Sequence, residues 1–178
     1  MSNTRRQLVI AEVDAREPMV GRALWCMEDA RARTWQRLDG LDAALLDWTP
    51  AEGGNSIGSA LYHIAAIEAD YLYVDVLEQP FPQAIVDLFP YDVREEQGRL
   101  TPVSGFDLAW YRQRLDETRG RLLAVFRTME LADFRRVRRQ ELADITPEWT
   151  LYHLMQHEAE HRSEIATLRA RAAAGRAS

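Results

Sequence analysis

The chain has 178 residues, a net charge of −6 and one cysteine, Cys26. That length suits one domain over residues 1–178 with a core of about 18–173, and one cysteine excludes a disulfide framework or a cysteine-ligated zinc finger and fits a reducing cytoplasm. The acidic balance argues against a nucleic-acid partner, no apolar run reaches the ~20 residues of a membrane span, and the opening MSNTRRQLVIAEVDAREP lacks a secretory apolar segment.

Helical periodicity runs through most of the chain. The first helix is expected from about Pro18 to Leu38, with Pro18 in the first turn and Gly40 as the stop. Val20, Leu24, Met27, Thr34 and Leu38 form its stripe. The second helix follows GGNSIG, with Ser56 as N-cap, and runs to about Leu77; it is apolar over most of its surface and so is expected to be buried. No strand precedes GGNSIG, so it is not a dinucleotide fingerprint.

The third helix spans about Phe106 to Met129, with Leu108, Tyr111, Leu115, Thr118, Leu122 and Val125 on its stripe. Thr34 and Thr118 interrupt apolar stripes; each is expected to bond a helix carbonyl or face a shared polar interior. The fourth helix opens at TPEW, with Thr146 as N-cap and Pro147 at the first position, and ends near Ala173, beyond which the small-residue tail AAAGRAS is expected to fray.

No segment shows sustained period-two alternation, so no sheet is expected. Four amphipathic helices imply an all-α four-helix bundle. The connection between the second and third helices is roughly 28 residues long and carries Pro80, Pro82, Pro90 and Pro102. A helix of ~22 residues is ~33 Å long, and such a connection spans that distance. The order is therefore expected to be up-down-down-up, with this crossover free to wall a pocket. The knot Arg135, Arg136, Arg138 and Arg139 reads first as a solvated helix end or loop and second as an anion-binding patch. All 22 basic residues are arginine, which removes lysine-based Schiff-base and P-loop chemistry.

Three of the four histidines lie on the last helix, at His153, His157 and His161. Residues four apart share a helix face, so His157 and His161 suit one ion. His153 and His161 are ~12 Å apart along the axis, so all three cannot serve it together. The remaining histidine, His63, lies in the buried second helix, where an unpartnered imidazole is costly; packing against the His157/His161 face would complete a three-histidine site with an open position. A hydrogen-bonded core histidine and a helix merely rich in histidine are the plainer readings. HEAEH matches the zinc-protease signature H-E-x-x-H. However, Thr167 stands where the downstream histidine would be, and Glu164 is the only later acid. No strand is seen to hold a peptide either.

LDWTPAEGGNSIGSALYHIAAIEADYLY, followed much later by LYHLMQHEAEHRSEI, resembles the DinB/YfiT-like superfamily of metalloenzymes. The resemblance covers about residues 18–173 and rests on the order of the D-W-x-P turn, N-S-I-G, the buried histidine and the terminal histidine series. It implies an up-down-down-up four-helix bundle with His63, His157 and His161 holding zinc or nickel. It also implies chemistry like that of thiol S-transferases using bacillithiol or mycothiol. His153 matches a frequent histidine outside the ligand triad. Many relatives read H-R-G-Q where this chain has His161-Arg162-Ser163-Glu164.

Glu164 projects about 40° from the mean direction of the histidine pair, so it is expected to orient His161 or to be an ordinary surface glutamate. Asp70, two turns beyond His63, is a candidate for the surrounding shell or a substrate pocket. Glu158, ~80° from the ligand direction, is the candidate proton acceptor. The leading expectation is a metal-dependent thiol S-transferase or hydrolase acting on a small molecule, with no nucleic-acid or membrane partner. The alternatives are a non-catalytic metal-binding or interaction bundle, such as a homodimer, and, less favoured, an H-E-x-x-H metallopeptidase.

Overall fold

Apolar stripes on four helices demand mutual burial, and the computed structural model, which describes residues 9–141 and 143–175, provides it. The protein is predominantly helical. The long helices are α1 (Pro18–Leu38), α3 (Ile57–Asp70), α5 (Leu108–Thr128) and α7 (Pro147–Gly175). Shorter helices intervene: α2 (Ala43–Asp47), α4 (Gln83–Val86) and α6 (Leu131–Phe134). The expected caps form. Ser56 Oγ accepts from Ser59 N at 3.0 Å, and Thr146 Oγ1 accepts from Trp149 N at 3.1 Å. At α5 the cap is Asp107, whose carboxylate accepts from Trp110 N at 2.9 Å, so this helix starts two residues after the expected Phe106. Residues 1–8 and the end of the tail, 176–178, lie outside the described residues.

Three expectations are corrected. The second predicted helix does not stay α-helical to Leu77: from Tyr71 to Val76 it widens into a π-helical segment, closed by Leu77 N donating to Leu72 O at 2.9 Å. Glu78 then turns the chain with φ +54°. A sheet exists, although it is minimal: β1 (Arg138–Arg139) pairs antiparallel with β2 (Asp144–Ile145). The arginine knot is not uniformly solvated either. Arg138 is buried; its Nε donates to Val76 O at 2.8 Å and its Nη2 pairs with Asp133 at 3.0 Å. It thereby satisfies a carbonyl at the end of the π-helical segment, where the helix itself leaves acceptors unpaired.

Each long helix packs against two others: α1 on α7 and α5, and α3 on α5 and α7. Gly58, the glycine of N-S-I-G, lets α5 approach, since a Cβ there would collide with the Tyr111 hydroxyl. Two apolar clusters result. One gathers Val20, Leu24, Leu122, Phe126, Leu151 and Leu154; the other gathers Leu38, Leu61, Tyr111, Leu115, Ile165 and Leu168.

A polar layer divides them, with one charged residue from each long helix. Arg31 Nε donates to Glu158 at 2.8 Å and its Nη2 to Glu68 at 2.9 Å; Arg119 bonds Glu68 at 2.7 and 2.9 Å and Glu158 at 2.9 Å. No member's side chain is more than 5% exposed. Such a layer is tolerable only because its charges balance and its donors are bonded. Thr34 and Thr118 lie beside it and bond back to Ala30 O and Arg114 O.

Candidate metal centre

The histidine site lies on the same two helices as the glutamates of the polar layer. His63 is five residues before Glu68 on α3, and His157 immediately precedes Glu158 on α7. His63, His157 and His161 each bring one ring nitrogen into a group within 4.8 Å. His63 Nε2 is 3.1 Å from His157 Nε2, which is 3.2 Å from His161 Nε2. His63 is buried; the other two are half-buried, so solvent reaches one side.

Hydrogen bonding alone cannot account for this geometry. A ring nitrogen offers one in-plane lone pair or one N–H, not both. His157 Nε2 has two close neighbours and can satisfy one. His161 Nδ1 lies 2.8 Å from Glu164 Oε2, an acceptor, so Nδ1 carries the proton and His161 Nε2 turns a lone pair towards the others. A cation shared by all three nitrogens removes the conflict. Nitrogens bound at ~2.0–2.1 Å around a tetrahedral ion lie about 3.3 Å apart, close to the 3.1 and 3.2 Å of the two pairs that meet at His157. The donor set and its geometry therefore fit a divalent metal.

Electrostatics favour the ligand form of the imidazoles. Burial chiefly, with repulsion from His161 and His157 and then Arg94, depresses His63 to about 3. Burial, followed by repulsion from His161 and His153, takes His157 to about 4. Both are neutral near pH 7, the state a metal requires. His63 Nδ1 is buried without a hydrogen-bond partner among the described residues, unlike the ordinary ligand whose second nitrogen is held by an acceptor.

His161 does have that arrangement, its Nδ1 held by Glu164. The bond to His161, and further the one from Asn55 Nδ2 at 2.7 Å, hold the Glu164 carboxyl below the ordinary value against the opposing effect of burial. Asn55 sits one residue before the α3 cap, so the turn that starts α3 also braces His161 on α7 through Glu164.

The remaining candidates are placed elsewhere. Glu158, the expected proton acceptor, is placed in the polar layer, where both of its oxygens accept from arginines. Burial alone would raise its pKa, but Arg31 and Arg119 hold it below the ordinary value. His153 stacks flat on Trp149, with centroids 4.8 Å apart, and packs on Tyr71 at 4.9 Å, while its ring is 6.0 Å from that of His157. Asp70 lies beyond the trio on α3, among the crossover residues, and burial raises its pKa. Sequence reasoning missed Asn55, although it was legible in N-S-I-G.

Helical architecture and a convergent histidine trio define a class: predominantly helical proteins with an interhelical group of histidines that could hold a metal ion. The family model of the DinB superfamily matches residues 27–165, and the chain belongs to that superfamily. Among solved structures it is similar to a conserved protein of a locus from Enterococcus faecalis. The TM-score is 0.65 at 14% identity, over 83% of this chain and 92% of that one, which is a likeness of fold. No curated protein matches the sequence.

Proposed function

We propose that this protein is a metal-dependent enzyme of the thiol S-transferase or hydrolase type, acting on a small molecule, with His63, His157 and His161 as ligands of zinc or nickel. The convergence of three ring nitrogens within 4.8 Å carries this reading. A divalent ion held by these histidines would supply Lewis acidity, lowering the pKa of water or a thiol towards neutral pH. Bacillithiol or mycothiol is the thiol expected for this family. Glu164, held by Asn55, fixes the His161 ring and its tautomer. Half-burial of His157 and His161 leaves the approach that a reacting molecule needs.

The fold belongs to the same proposal: a four-helix bundle in up-down-down-up order. The pairings support it. Arg31 meets Glu158 and Arg169 meets the Arg37 carbonyl, so contacts along α1 and α7 ascend together. His63 meets His157 while Tyr71 meets His153, so α3 and α7 run oppositely.

Elemental analysis of the purified protein, before and after incubation with zinc or nickel, tests the metal. About one ion per chain is expected, lost in His63→Ala. A wild-type protein that stays metal-free would end the proposal. Turnover assays with thiol acceptors and with ester or amide substrates then separate transferase from hydrolase.

A further inference from the structure

Further along α3 from His63, that helix and the crossover form a solvent-open cavity of about 230 Å³. Ala66 and Ala69 leave room on the α3 side, and Phe81, Ile85 and Phe89 face them from the crossover. The polar side chains include two carboxylates, Asp70 and Asp92, and no basic residue contributes to the wall. Neither carboxylate forms an ion pair among the described residues. Seven residues advance a helix by 700°, so Asp70 projects within about 20° of His63 and lies about 10 Å further along α3. The crossover connects the two places: Asp92 lines the cavity, and Arg94, two residues on, is close enough to influence both His63 and His157.

We propose that this cavity is the specificity pocket of the metal centre, and that it takes a small apolar amine whose ammonium group pairs with Asp70. The proposal rests on the reading of the histidine trio as the reacting centre. The volume is below the roughly 300–1,000 Å³ of sites for drug-sized ligands, so the group it holds is a single ring or short alkyl chain. An apolar body replaces water against Phe81, Ile85 and Phe89. A cation supplies the partner that a half-buried carboxylate in apolar surroundings lacks. A carboxylate ligand is repelled by both aspartates, and an alcohol offers no compensating charge.

Ligand-observed NMR on the full chain with benzylamine, benzyl alcohol and benzoate tests this. Benzylamine is expected to bind, benzoate not to, and Asp70→Asn to weaken benzylamine about tenfold while affecting benzyl alcohol little. Ala66→Leu, which fills the cavity, is expected to abolish binding of both. Circular dichroism checks that the variants are folded. Cobalt(II)-loaded protein is expected to broaden bound benzylamine signals relative to zinc-loaded protein, placing the ligand beside the metal. Equal binding of benzoate, no binding of benzylamine, or benzylamine affinity unchanged in Asp70→Asn overturns the pocket. Absence of cobalt-dependent broadening overturns its link to the centre. Metal content measured on the same samples separates the two readings. Amine binding to protein that takes up no metal removes the centre and leaves an amine site, whereas metal uptake without amine binding removes only the pocket.

Discussion

His157 and Glu158 are consecutive residues on one helix, and their surroundings are opposite. Glu158 belongs to a layer in which two guanidinium groups and two carboxylates answer one another through five hydrogen bonds. His157 belongs to a trio in which one nitrogen faces two others and can satisfy one. A saturated polar cluster holds structure together, and an unsaturated one is a place for something to bind. Polar burial alone does not distinguish them; the hydrogen-bond accounting does.

The largest effect should come from removing a partner on the saturated side. Glu158→Ala strands two buried guanidinium groups and is expected to cost about 3–5 kcal/mol by urea denaturation of the metal-free protein. His157→Ala, one residue away, should cost under about 1 kcal/mol in the same measurement yet abolish metal uptake. If the two variants destabilise the protein equally, the contrast between the clusters fails.

Glu164→Gln should lower zinc or nickel affinity about 10–100-fold in a competition assay with a chromophoric chelator, while leaving the metal-free melting temperature nearly unchanged. A smaller decrease is expected for Asn55→Ala, which removes a brace on Glu164 and leaves its contact with His161.

Acid should also act differently on the two clusters. In the unfolded chain a histidine titrates near 6.5, but folding holds His63 at about 3 and His157 at about 4. Below pH 6.5 the unfolded state therefore takes up protons that the native state refuses. Stability of the metal-free protein should fall progressively from about pH 6.5 towards these lower values. Melting temperatures across that range, for wild type and a His63→Ala/His157→Ala variant, check the sign: the variant's curve should be the flatter. Glu158, also held below its ordinary value, contributes stability that is present above the unfolded carboxylate range and lost only under stronger acid.

Much of this was readable in the sequence. Apolar spacing and the Ser56 and Thr146 caps located long helices within a few residues, because burial and capping act locally. The pairing of His157 with His161 followed from helical spacing, and His63 from the cost of burying a lone imidazole. The role of Glu158 did not, although its ~80° offset from the ligand direction already turned it away from the histidines. The missed signal was on the other helices. Arg31 and Arg119 each stand four residues after a stripe residue, Met27 and Leu115, so each carries a charge into the core and requires a carboxylate there. The π-helical segment had no comparable signature, since it differs from an α-helix in hydrogen-bond register rather than residue type. The β1–β2 pair is too short to show alternation.

The polar layer has one consequence for change over time. Because Arg31 and Arg119 bind α3 to α7 through Glu68 and Glu158, the alignment of those helices does not depend on what the neighbouring histidines hold. The two tasks are thus separable along the chain. Positions 63, 157 and 161 are open to replacement, and what the trio binds can diverge while the scaffold that presents it stays the same.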